Sequence, residues 1–298
     1  MEEWSTNNNI IGSKYQDIRV IFDEEKYNIS PYGRNHFTIY KSLILYSEKG
    51  SVLDFGDSPQ SSLRFHFVVE EKNQKLIFKN LTFKNYRGIT EITDHLITFS
   101  VVKDKNNIYI EFENCNFIDI YGYLLNVDIT FKQSVTDSPQ VLFKNCSFLN
   151  THMLLNIRDK RIPKINSISF FVKYENCYFE NFSIIGDVSH GIITYDNCHF
   201  TKGNGLYRYP CTFINAQSNQ SKIKIINSII EDINLITNKP FFIINESSLQ
   251  LINTKFKNCH TPYGFLISSK VSNKLTKENV DIMIDNCEFD GISIYNFI

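Results

Sequence analysis

One short phrase recurs eight times along the chain, and it restricts the fold more than any other feature. It reads apolar-x-apolar-x-Asn-x-x-apolar, as in Val141-Leu142-Phe143-Lys144-Asn145-Cys146-Ser147-Phe148. The asparagines are Asn80, Asn114, Asn145, Asn176, Asn197, Asn227, Asn253 and Asn286. Two residues earlier stand Phe78, Phe112, Phe143, Tyr174, Tyr195, Ile225, Leu251 and Ile284. Three residues later stand Phe83, Phe117, Phe148, Phe179, Phe200, Ile230, Phe256 and Phe289. The spacings between asparagines are 34, 31, 31, 21, 30, 26 and 33, so a constant structural segment is joined by loops of variable length. Period-two alternation on both sides of the Asn makes each phrase two short strands meeting at a corner. Asn suits the corner because it tolerates the left-handed backbone region better than other non-glycine residues. Its amide can also hydrogen-bond to the Asn of the turn above and of the turn below.

A third strand lies between the phrases, ending in two apolar residues and a small or polar one. Examples are Leu96-Ile97-Thr98, Leu124-Leu125-Asn126, Leu154-Leu155-Asn156, Ile184-Ile185-Gly186 and Phe213-Ile214-Asn215; Ile243-Ile244-Asn245 and Leu266-Ile267-Ser268 continue the set. Three short strands per turn, with a tight corner between the second and third, predict an all-β chain wound as a parallel solenoid of about ten turns. A propeller blade would need antiparallel strands, and a leucine-rich repeat would need a fixed period of about 20–29 residues and a helical segment. Residues 1–14 read as a polar tail and 15–298 as one solenoid domain. Turns stacked about 4.8 Å apart would turn each inward position into a continuous column. One outward column is expected to run through Asn126, Asn156, Gly186 and Asn215. Composition agrees: Ala is nearly absent while Ile, Phe, Tyr and Asn abound, which favours strands and turns.

The repeated phrase resembles the coils of the pectin-lyase-like superfamily of right-handed parallel β-helices, including repeats of polymorphic-outer-membrane-protein type. Ile18-Arg19-Val20-Ile21-Phe22, Tyr27-Asn28-Ile29 and Lys41-Ser42-Leu43-Ile44-Leu45-Tyr46 resemble the opening turns of that superfamily. The resemblance implies a single-stranded right-handed β-helix. It leaves function open, because lyases, hydrolases, adhesins and inert spacers share the scaffold.

Polygalacturonase-like members carry Asn-x-Asp, Asp-Asp, Gly-His-Gly and Arg-Ile-Lys on one face. This chain offers Asn126-Val127-Asp128, Ser189-His190-Gly191 and Lys222-Ile223-Lys224 as echoes, and reads Asn156-Ile157-Arg158-Asp159 where the acidic pair should stand. Asp128, Asp187, His190 and Lys222 are therefore the catalytic candidates of an alternative, polysaccharide-active reading. Glycoside hydrolysis needs two carboxyl groups flanking the bond, one of them an acid of raised pKa. Asp128 is expected to stack over Arg158, which would shift its pKa the wrong way. The clustered carboxylates of a Ca²⁺-dependent lyase are not apparent either. The first expectation is thus a non-catalytic structural module, or one that binds a protein or glycan partner, with no cofactor.

Five cysteines, Cys115, Cys146, Cys177, Cys198 and Cys287, directly follow a corner Asn. Their spacing lacks the paired ligands of a metal site. Parallel side-chain vectors on stacked turns suit a disulfide badly, so they read as buried thiols and favour an intracellular location. Before the corner stand Lys79, Glu113, Lys144, Glu175 and Asp196, the pattern of a surface ion ladder. Arg158-Asp159-Lys160-Arg161 reads as a solvated loop. A net charge of −1 argues against nucleic acid as a partner. No apolar run is long enough for a membrane span, and Met1 to Thr6 contain no signal-peptide pattern. The apolar ending Ile292-Ser293-Ile294-Tyr295-Asn296-Phe297-Ile298 suggests either self-association through that end or a piece of a longer solenoid.

Overall fold

The computed structural model describes residues 10–11, 17–29, 35–39, 42–58, 61–67, 74–88, 95–101, 108–129, 138–157, 171–188, 191–204, 213–216, 221–235, 240–261, 267–270 and 282–294. Its elements are β-strands paired in parallel across successive turns, which is a parallel β-solenoid. Three ladders run along it. The first passes through Ile18–Ile21, Ser42–Asp54, Gln74–Arg87, Ile108–Glu113, Val141–Lys144, Phe171–Glu175, Gly191–Asp196, Ser221–Ile226, Ser248–Ile252 and Ile282–Asp285. The second links Lys26–Asn28 to the later parts of Ser42–Asp54 and Gln74–Arg87. It continues through Asn116–Ile129, Ser147–Ile157, Tyr178–Ile184, His199–Thr201, Ile229–Glu231, Lys255–Lys257 and Glu288–Asp290. The third begins at Ile10–Ile11, inside the segment expected as a tail. From there it passes through Asn35–Ile39, Leu63–Phe67, His95–Val101, the ends of Asn116–Ile129 and Ser147–Ile157, Gly186–Val188, Ile214–Ala216, Phe242–Asn245 and Ile267–Lys270.

The first corner is built as its residues demand. All eight phrase asparagines have φ between 49° and 54°, the left-handed conformation. Their side chains form a ladder: Asn114 Nδ2 donates to Asn80 Oδ1, Asn145 to Asn114 and Asn176 to Asn145, each at 3.2 Å. Asn197 donates to Asn176 at 2.7 Å. Asn227 turns instead to Asp196 Oδ1 at 3.3 Å, and the ladder resumes from Asn253 to Asn227 and from Asn286 to Asn253.

A second corner lies five residues after the first. Asn85, Asp119, Asn150, Asn181, Lys202, Asp232 and Asn258 all have φ between 48° and 58°, and Gly291 has φ 63°. Part of this column is also laddered, with Asn150 donating to Asp119, Asn181 to Asn150 and Asn258 to Asp232. Lys202 interrupts it, and Asn181 Oδ1 is buried without a partner there. Gly291 is required at its position, since a Cβ would sit 2.6 Å from Asn258 Oδ1.

Inward positions form aromatic columns. Phe78, Phe112, Phe143, Tyr174 and Tyr195 stack with centroids 4.6–4.9 Å apart. Phe83, Phe117, Phe148, Phe179 and Phe200 make a second column at 4.5–5.0 Å, set edge-on to the first. The Tyr174 hydroxyl is buried with no hydrogen-bond partner. Leaving a polar group dry costs about 1–3 kcal/mol, whereas its Phe neighbours show that the ring alone fits. Tyr174→Phe is therefore expected to raise unfolding stability by about 1 kcal/mol, measured by urea denaturation; a loss of stability would contradict this packing.

The six described cysteines are free thiols. Cys115, Cys146, Cys177 and Cys198 lie buried beside the first corner, and each Sγ–H is within reach of the carbonyl two residues back and of another on the preceding turns. Burial pushes the Cys146 and Cys198 thiols well up, and Cys259 is pushed up to about 12, again by burial. Thiolate is the reactive form. Site-resolved mass spectrometry after brief iodoacetamide treatment is expected to find Cys287, which is half-buried, alkylated ahead of these five. Rapid modification of Cys146 in the folded protein would refute the burial.

Candidate functional site

The third ladder holds the first candidate face. Leu125 and Ala216 are buried on its inner side, whereas Asn215 and Ile243 on the alternate positions are partly exposed. One backbone column runs through Thr98, Asn126, Asn156, Asp187, Asn215, Ile243 and Ser268, and Asn126 within it is buried. This corrects the expected column, because Asp187 and not Gly186 stands between Asn156 and Asn215; the column continues to Ile243. The chain bends at Ile185, which is buried, and Gly186 falls into the neighbouring inward register opposite Ile214. The column is consequently not uniformly neutral.

Asp128 is two residues beyond Asn126 on the same strand, opposite Ser100. Asp187 follows two rungs later, so the two backbone positions are about 12 Å apart from strand spacing and rise alone. Lys222 is elsewhere. It is exposed on the first ladder, between Ile192 and Ser248. Ser189, His190 and the Arg158 to Arg161 cluster lie outside the described residues. The structure thus puts Asp128 and Asp187 on the third ladder and Lys222 on the first.

The charged row before the first corner is in register as expected, with Lys79 opposite Glu113, then Lys144, Glu175 and Asp196. Lys79 Nζ meets Glu113 Oε2 at 2.5 Å. The like-charged neighbours Glu175 and Asp196 are held by Lys173, whose Nζ is 2.8 Å from one and 3.1 Å from the other. That bridge comes from the adjacent column, which the row alone did not reveal.

A richer polar group occupies the outer side of the second ladder. Strand alternation turns Phe179, Phe200 and Ile230 inward, and so presents Tyr178, Glu180, His199 and Glu231 outward. His199 Nε2 is 2.7 Å from Glu231 Oε1, and the His199 ring stands edge-on to Tyr178 at 5.3 Å. Tyr178 Oη donates to Glu180 Oε2 at 2.9 Å, while Lys202 Nζ donates to Glu180 Oε1 at 2.7 Å. Lys202, with Tyr178 adding to it, holds the Glu180 carboxyl below its usual range. Burial, reinforced by Glu180, raises the Tyr178 phenol. Lys202 is available here because it fills the second corner, where its side chain projects outward. Sequence reading passed over these residues, since their columns mix unlike side chains; the fixed offsets of two, four and five residues from the corner Asn would have found them.

Among the described residues no group of three or more His, Cys, Asp or Glu side chains could hold a metal ion, and no helix is long and apolar enough to cross a membrane. Compared with models of known protein families and with curated protein sequences, the chain matches none.

Proposed function

We propose that this parallel β-solenoid is a non-catalytic scaffold that binds a protein or glycan partner through its outer rows. The observation that carries this reading is how the outward carboxylates are used. Glu113, Glu175, Asp196, Glu180 and Asp54 are each engaged by a lysine. Glu180 is shifted towards the ionised form, the opposite of what a general acid needs. The row of Tyr178, Glu180, His199 and Glu231 instead supplies a ring with donors and acceptors at fixed spacing, suited to hydroxyl or amide groups. A reducing compartment belongs to the same proposal, supported by the buried thiols beside the first corner. A glycan array and a peptide array, probed with the wild-type chain and with Tyr178→Ala and His199→Ala, test it. Ligands bound by the wild type and lost by both folded variants are expected; binding unaffected by either variant would move the contact surface elsewhere.

One observation favours a second reading, polysaccharide cleavage. Asp187 enters the backbone column between Asn156 and Asn215, on the ladder that carries Asp128. Incubation with polygalacturonate and related glycans, following reducing ends and unsaturated products, distinguishes the two. Turnover lost in folded Asp187→Asn would replace the scaffold reading with catalysis.

A further inference from the structure

Seven large apolar side chains are exposed among the described residues, and five of them, Ile282, Met283, Ile284, Phe289 and Ile292, belong to the last rung. Three of the five stand in core columns. Ile282 continues the column of Val141 and Val172, Ile284 that of Phe143 and Tyr174, and Phe289 that of Phe148 and Phe179. Those interior members are fully buried, whereas Ile282, Ile284 and Phe289 are 38%, 48% and 42% exposed. The core is therefore open along the solenoid axis at this rung. Among the described residues Ile282–Asp285 pairs only with Ser248–Ile252, and Glu288–Asp290 only with Lys255–Lys257.

The first rung presents the same cross-section from the opposite side. Ile18 and Val20 begin the columns that end at Ile282 and Ile284, and Tyr27 begins the one that ends at Phe289. All three are only partly buried, and Ile21 beside them is 54% exposed. The charges match as well. Glu288 pairs with Lys255 at 3.0 Å and stays half-exposed, and the first-rung residue of that column is Lys26, also half-exposed. Arg19 begins the column ending at Met283, diagonal to Asp285, and diagonal pairs lie within reach of long side chains.

We propose that the last rung of one copy docks on the first rung of another, continuing the three ladders head to tail. Ile282, Ile284 and Phe289 would cover Ile18, Val20 and Tyr27 of the second copy, and Glu288 would lie between Lys255 and the incoming Lys26. A head-to-tail contact leaves a free end after each addition, so it yields an open series of oligomers and not a closed dimer.

The test uses two end-blocked variants of the full chain. Ile284→Lys places a charge on the last rung; Ile21→Glu combined with Lys26→Glu sets like charges on the first rung against Asp285 and Glu288. Circular dichroism and thermal melting establish that both are folded. In sedimentation velocity the wild type is expected to form a concentration-dependent series, and each variant alone to stay monomeric at tenfold higher concentration. Mixed, the two variants are expected to form a one-to-one dimer, because each retains the surface that the other lacks. A wild type that stays monomeric throughout, a first-rung variant that self-associates alone, or a mixture that remains monomeric would each overturn the proposal.

Discussion

Phe148→Ala is expected to destabilise the fold by about 3–5 kcal/mol, the largest effect of any single truncation considered for this chain. Phe148 is fully buried, stacked at 5.0 Å on Phe117 and at 4.6 Å on Phe179, with Phe143 and Tyr174 meeting it edge-on at 5.6 and 5.8 Å. Removing the ring loses contacts on both axial sides, and the strands cannot close the gap because their spacing is set by the backbone ladders. Phe289 occupies the same column at the last rung, where among the described residues it stacks only on Phe256, at 4.9 Å, and is 42% exposed. Phe289→Ala should cost about 1 kcal/mol, in proportion to its partial burial. Denaturant titration of both variants checks the pair. Equal losses would mean that the axial stack is not what stabilises the interior turns.

Asn145 is the second sensitive position, for a reason unrelated to burial. Its backbone is left-handed at φ 53°, and its side chain donates to Asn114 and accepts from Asn176. Ala would incur the left-handed penalty of about 1–2 kcal/mol and lose both hydrogen bonds. These amides are exposed to water, so each bond adds only a few tenths. Asn145→Ala is expected to lower stability by about 2 kcal/mol and Asn145→Gly by about 1 kcal/mol, since Gly accepts the conformation without strain. If Gly and Ala cost the same, backbone strain is not the controlling quantity and the ladder itself carries the effect.

The contrast between the two corners shows how much of this architecture the sequence carried. The first corner was legible because Asn recurs between apolar residues on fixed sides, and every one of its eight positions adopts the expected backbone. The second needs the same backbone conformation but mixes Asn at four turns and Asp at two with Lys202 and Gly291, so no single residue marks it throughout. Its location was still implicit, because a turn that must pass from one sheet to the next about five residues after the first corner admits only residues tolerant of positive φ. The third ladder was read correctly from Thr98 through Asn126 to Asn156. It then slipped, because Ile184-Ile185 resembles Leu154-Leu155 and invites an offset of 30, whereas the pairing keeps an offset of 31 from Met153–Ile184 to Asn156–Asp187; the one-residue irregularity lies a turn earlier, between Ile120 and Tyr123. A one-residue shift exchanges inward for outward positions, which is why Asp187 was misplaced. The outer row of Tyr178, His199 and Glu231 was missed because no residue type repeats in it, and only its fixed offsets from the corner asparagines mark its members.

The corner amides have a further consequence, an electrical one. From Asn80 to Asn286 each side-chain N–H points back to the preceding turn and each carbonyl oxygen points onward, apart from the detour of Asn227 to Asp196. Strand dipoles in a sheet largely cancel, whereas amides oriented in one sense add. Eight groups of about 3.5 D each sum to at most a moment on the order of 25 D along the axis. The rod therefore has a positive pole towards its first turns and a negative pole at Asn286. Mobile cations should gather at one extremity and anions at the other, and an applied field should orient the molecule lengthwise.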